Sequence, residues 1–153
     1  MRTLRHPEDV DEILRRLQAL HPSSERQWGK MSVQQMVCHL SDGFLLYMGE
    51  KRAHPVPTPA PRKLLKWLAL WVPIPWPHGF KTFPELDQEV GGTPPAEFEK
   101  DVDRLQALVK RFTSNRRDFE WPESHPHFGP MTESDWQRLG YLHTDHHLRQ
   151  FSC

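Results

Sequence analysis

Residues 132–151 read TESDWQRLGYLHTDHHLRQF, a helix whose start and whose chemistry are both visible. Thr132 is a capping residue, with Asp135 three positions on, where a side chain can reach back to the cap. At about 100° per residue, Trp136, Leu139, Gly140, His143, His147 and Gln150 share one side, so two imidazoles one turn apart point inward. Asp145 projects the opposite way, and His146 lies about 60° from His143, at the margin of the inward arc. A helix that turns two histidines toward a core needs other elements to complete their surroundings.

Three further long segments supply them. Val10, Ile13, Leu14, Leu17 and Leu20 form one apolar stripe over residues 7–20. Ser32, with Gln35 at the capping-box position, opens a second helix that runs to about Gly49. Thr93 as cap and Pro94 at the first helical position predict a third over 93–113, burying Phe98, Val102, Leu105, Leu108, Val109 and Phe112. Between the second and third lies a proline-rich crossover, HPVPTPAPR, then a short helix over 63–71 and an irregular passage. Ten of the fifteen prolines fall between residues 55 and 95, which leaves the long segments free of a residue that breaks helix interiors. No run alternates with period two, so no sheet is expected. The pattern predicts an all-α four-helix bundle forming one domain over 1–153.

Composition narrows the function. Twenty basic residues balance twenty acidic ones, so no overall cationic field draws the chain toward nucleic acid. Apolar content of 37%, with six Trp and eight Phe, supports a packed core. Two cysteines, Cys38 and Cys153, make no disulfide framework, and the charged first residues do not resemble a secretory leader, so a cytoplasmic protein is expected. Residues 64–76 are too short and too interrupted by proline to span a bilayer; a core or dimer-interface role is expected in preference to a substrate pocket or a membrane-surface contact.

The H-x-x-x-H pair of His143 and His147 has the spacing that lets two imidazoles converge on one ion. The competing reading is a polar bundle end, with each ring hydrogen-bonded to backbone or water. A third ligand would decide between them, and His39 is the candidate, mid-helix on a strip with Gln35, Asp42 and Gly43 that should face a cleft beside the core. Three imidazoles plus solvent make an open coordination sphere, the arrangement of catalytic sites. Cys38 points about 100° away from His39 and reads as a small buried hydrophobe. His125 and His127, in HPHFG, read as fixing a loop in preference to closing over an ion.

The stretch WGKMSVQQMVCHLSDGF, followed by the tail HPHFGPMTESDWQRLGYLHTDHHLRQF, resembles the DinB-like (YfiT-like) superfamily, and within it a DinB-related subfamily of unknown function. The resemblance implies an up-down-down-up bundle whose histidine triad, here His39, His143 and His147, binds a divalent metal, usually zinc or nickel. Relatives include transferases and isomerases that use low-molecular-weight thiols, and metal-dependent hydrolases. A thiol-dependent transferase acting on a small-molecule substrate is therefore the leading expectation. A hydrolase that activates water, or a non-catalytic metal-binding or dimerising bundle, are the alternatives. A hydrolase wants a base near the water, and Asp42, Glu50 and His146 are available, with His146 best placed. Gln35, Asp42 and Gln150 are the expected acceptors behind the ligand imidazoles. Neither nucleic acid nor membrane insertion is expected; a homodimer is, through helix faces.

Overall fold

The computed structural model describes every residue except Val56, Thr58, Pro59 and Phe80, so the middle of the proline-rich crossover lies outside the described residues. The chain is mostly helical: α1 (Pro7–Gln18), α2 (Val33–Tyr47), α3 (Arg62–Trp71), α4 (Phe98–Phe112) and α5 (Glu133–Gln150). A 3-10 turn at Pro84–Leu86 and two short strands, β1 (Ser124–His125) and β2 (Gly129–Pro130), complete it. Among the described residues, no helix is long and apolar enough to cross a membrane.

Both capping boxes form. Ser32 accepts the Gln35 N–H while the Gln35 side chain accepts the Ser32 N–H, and Thr132 and Asp135 do the same at α5. Each satisfies two amide groups that a helix end otherwise leaves open, worth about 1 kcal/mol. Asp135 also accepts from Trp71 Nε1 and Lys66 Nζ, which ties α3 to the start of α5.

Helix α2 is central: Met36, Val37, Leu40 and Phe44 are fully buried, and it packs on both α4 and α5. Helix α1 covers the same two partners from outside through Ile13 and Leu17, and α4 contributes Val102, Leu105, Val109 and Phe112. This centrality corrects one expectation. His39 does not face a cleft beside the core, because α2 is enclosed on most of its circumference; His39 is 3% exposed and Asp42 is fully buried.

Two further expectations are overturned. Helix α4 begins at Phe98, not at Pro94, and Thr93 caps nothing. The Thr93 N–H and Oγ1–H both donate to the Asp42 carboxylate, at 2.7 Å each, and the consecutive prolines 94 and 95 hold the residues before them in extended conformations. A small sheet also exists: β1 and β2 pair antiparallel, Ser124 with Pro130 and His125 with Gly129. Two residues a side are too few to show a period-two pattern; residues 126–128 make the connection, and Gly129, the first residue of β2, closes it at φ +69°.

Candidate metal centre

His39 leaves the middle of α2, and His143 and His147 leave successive turns of α5, so the packing of these two helices brings the three rings together. One nitrogen from each lies within 4.8 Å of the other two, and among the described residues this is the group of side chains that could hold a metal ion. His39 Nε2 is 3.0 Å from His143 Nε2, and the three ring centroids are 4.8–4.9 Å apart. Nitrogens held about 2.0–2.1 Å from one tetrahedral ion would be roughly 3.3 Å apart, so a small adjustment of these rings would complete a coordination triangle.

The far side of each ring has a defined partner. His39 Nδ1 lies 2.9 Å from the Leu86 carbonyl, which can only accept, so Nδ1 carries the proton and Nε2 keeps its lone pair. His147 Nδ1 lies 2.8 Å from Gln150 Oε1, and the Gln150 amide is oriented by donating through Nε2 to the Trp28 carbonyl at 2.7 Å. His147 Nδ1 is therefore also the donor, and its Nε2 lone pair is free for the centre. His143 is the remaining member. With His39 Nε2 accepting, His143 donates from Nε2, and its Nδ1 accepts from the Tyr47 hydroxyl at 2.8 Å. To offer Nε2 to an ion it would shift its proton to Nδ1, where the Tyr47 oxygen can accept in turn. Two fixed lone pairs and one convertible ring fit a divalent ion.

Electrostatics agrees. Burial pushes His39 below the usual imidazole range, opposed by the Leu86 carbonyl and Asp42. His143 and His147 are pushed well below it, first by burial and then by the neighbouring imidazoles. All three rings are held neutral, the form that ligates. Burial pushes the Tyr47 hydroxyl up, so it remains a neutral partner.

The supporting shell differs from expectation in two of three places. Gln150 is where it was expected. Gln35 is spent on the Ser32 capping box and reaches no imidazole. Asp42 touches no ligand ring either: it accepts from Thr93, from Gln88 Nε2 at 3.2 Å and from Lys51 Nζ at 2.8 Å. Its work is one step removed, pinning residues 88–93 onto α2 and so holding the Leu86 carbonyl over His39. The Leu86 carbonyl and the Tyr47 hydroxyl were the partners the sequence did not reveal. Tyr47 falls on an apolar arc of α2, and Leu86 sits in a segment with no periodicity; the i, i+4 relation of Gly43 to Tyr47 on one face was the signal available for the first. Gly43 leaves room for the His143 ring, whose nearest atoms would lie 3.4 Å from an added Cβ.

Around the outer side of the triad stands an aromatic wall. Trp76 lies 6.1 Å from His143 and 6.0 Å from His146, while Trp28 stacks on His78 at 4.1 Å and meets His146 edge-on at 5.7 Å. His146 is thus close to the centre, 5.3 Å from His147 between centroids, without being part of the triad. Burial, then Arg149 and His78, push it down to about 4, so near neutral pH it can accept a proton but has none to give.

The other candidates have structural explanations. Glu50 pairs with Arg111, and Cys38 is buried with its thiol pushed up to about 12, by burial first and then by Asp101. His125 Nδ1 accepts the His127 N–H at 3.1 Å within the β1–β2 turn, and its ring stacks on Phe128, so this pair fixes the loop as expected.

Compared with known families, residues 80–153 match the model of a protein of unknown function (DUF1569). The matched part contains α4, the hairpin and α5 with His143 and His147, and it leaves out α2 with His39. No curated protein and no solved structure matches the chain.

Proposed function

We propose that this protein is a divalent-metal-dependent enzyme with His39, His143 and His147 as ligands, in a single DinB-like domain whose α1, α2, α4 and α5 form an up-down-down-up bundle. The observation that carries the reading is the convergence of three neutral imidazoles, two with their Nε2 lone pairs fixed toward one point by partners on the opposite nitrogen. A polar bundle end hydrogen-bonded to water would not need that orientation. A zinc or nickel ion there would keep its full charge among neutral ligands and would act as a Lewis acid, favouring ionisation of a thiol or water brought to it.

The chain's own residues favour the thiol reading, a thiol-dependent transferase. Hydrolysis asks for a base beside the attacking water. Asp42 is buried and fully engaged by Thr93, Gln88 and Lys51, and Glu50 is held by Arg111. His146 is left, neutral and near the centre but a weak acceptor, and it is the one observation in favour of the hydrolase alternative. A thiol, more acidic than water to begin with, would lose its proton to solvent on binding the ion and would need no such base beside it. The wall of Trp28, Trp76 and His78 offers flat surfaces that would exclude water from a reacting thiolate and orient a small substrate.

The test is to load the protein with zinc or nickel and supply small thiols with an electrophile, then separately a panel of esters and amides. The proposal expects metal- and thiol-dependent consumption of the electrophile that His147→Ala abolishes. Turnover of esters without added thiol would establish the hydrolase instead, and no turnover with a fully loaded site would leave a binding module.

A further inference from the structure

Helix α3 carries its apolar stripe on the outside. Leu64, Trp67, Leu68 and Trp71 recur at i, i+3, i+4 and i+7, the spacing of a core-facing stripe. Yet Leu64, Trp67 and Leu68 are 48%, 55% and 42% exposed, and Ile74 just beyond the helix is 62% exposed. The opposite side of α3 meets the protein through Leu70, fully buried, and Lys66, which donates to Asp135 and to the Pro130 carbonyl on α5 and β2; Trp71, at the far end of the stripe, is half-buried and also donates to Asp135.

The exposed charges at the two ends of this face are basic, while the acids nearby are buried or paired: Asp135 with Lys66, Asp9 with Arg2 and Asp145 with Arg16. Arg62 and Lys63 are exposed at its start, and α3 contains no acidic residue. At its other end Trp71 lines a cleft of about 380 Å³ whose other walls include Thr3, Arg5, His6, Ser134 and Arg138; the buried Asp9 carboxylate behind them accepts from the Thr3 N–H and is paired with Arg2. Arg138 is 8% exposed and its guanidinium is held by the carbonyls of Leu70 and Arg2, with no carboxylate in ion-pair distance among the described residues. The Thr3 Oγ1 in the same wall is buried and has no hydrogen-bond partner.

We propose that α3 and this adjoining cleft form a docking surface for an anionic phospholipid membrane. The Leu64–Trp67–Leu68–Ile74 face would lie in the boundary between headgroups and acyl chains, with the indole at headgroup depth and the cleft receiving a lipid phosphate. Charge complementarity selects this occupant over a second copy of the chain. A two-fold contact sets the same face against itself, so whichever way round the helices pair, Arg62 and Lys63 meet either their own copies or the end bearing Arg5 and Arg138. Anionic headgroups neutralise both ends at once.

The test is co-sedimentation of the full chain with phosphatidylcholine vesicles and with vesicles containing phosphatidylglycerol. Binding to the anionic vesicles alone, weakened by raised salt, is expected. Trp67→Glu should weaken it at least about tenfold, because a charge replaces the largest apolar side chain of the exposed face. Arg5→Glu should weaken it by a smaller factor and flatten its salt dependence. Both residues are exposed, so circular dichroism of the variants should match the parent. No binding to anionic vesicles, or equal binding to both compositions, overturns the proposal. So does a parent dimer that Trp67→Glu converts to monomer, which would assign the face to a second copy.

Discussion

Acid should unfold this protein early, and His125 shows by how much. Its ring lies between Phe128 and Trp136, and burial with the nearby His127 pushes it down to about 3 from the usual imidazole value of 6.5. The folded state therefore keeps this ring neutral across a range in which the unfolded chain binds a proton. For a histidine with a lowered folded value, the stabilisation is whole above pH 6.5 and is lost as pH falls, ending near pH 3. At pH 5 the loss from this residue is about 2 kcal/mol. The triad rings shift in the same direction, so the metal-free protein should lose more than that between pH 7 and pH 5, out of a typical total of about 5–15 kcal/mol. Urea denaturation at the two pH values measures it. The variant His125→Phe keeps the ring contacts and should narrow the difference by about 2 kcal/mol. Equal stability of the parent at pH 7 and pH 5 would refute the burial of these rings in neutral form, and an unchanged difference in the variant would refute the share assigned to His125.

Three further outcomes follow from the same contacts. Gln150→Ala removes the acceptor on His147 Nδ1 and the donor to the Trp28 carbonyl, and should weaken zinc binding about 10–100-fold by calorimetry, while Gln150→Glu, which keeps the acceptor and loses the donor, should recover part of it. Asp42→Ala strands Lys51 and frees residues 88–93; a stability loss of about 3 kcal/mol or more is expected, with faster amide exchange at Thr93, whose N–H donates to Asp42. Gly29→Ala places a side chain at φ +82°, where its Cβ would come within 2.6 Å of Gln150 Nε2. It should lower the melting temperature and, by dislodging Gln150, weaken metal binding in the same direction as Gln150→Ala.

The long helices and the triad were readable because each leaves a local mark. Caps such as Ser32 and Thr132 sit at fixed offsets from their partners, and a residue four places from another on a helix shares its face whatever the tertiary structure. His143 and His147 are related in this way, and Gln150, three places beyond His147, lies on the same side. Contacts made by irregular backbone leave no such mark. Thr93 has the composition of a cap, and what overrode it was a carboxylate fifty-one residues earlier in sequence. The Leu86 carbonyl carries no side-chain signature, and Gln35 could serve either a capping box or an imidazole until the geometry decided. The outward stripe of α3 shows a further limit: periodicity finds an apolar face and does not say what covers it.

Whether three imidazoles from α2 and α5 close on one divalent ion is read most directly from metal stoichiometry. Protein stripped with chelator, then dialysed against zinc or nickel and quantified by elemental analysis, should bind one equivalent. His39→Ala, His143→Ala and His147→Ala should each fall far below that, while His125→Ala and His146→Ala retain it. Full metal content in the His39→Ala and His147→Ala proteins would show that the ion is not held by these three rings.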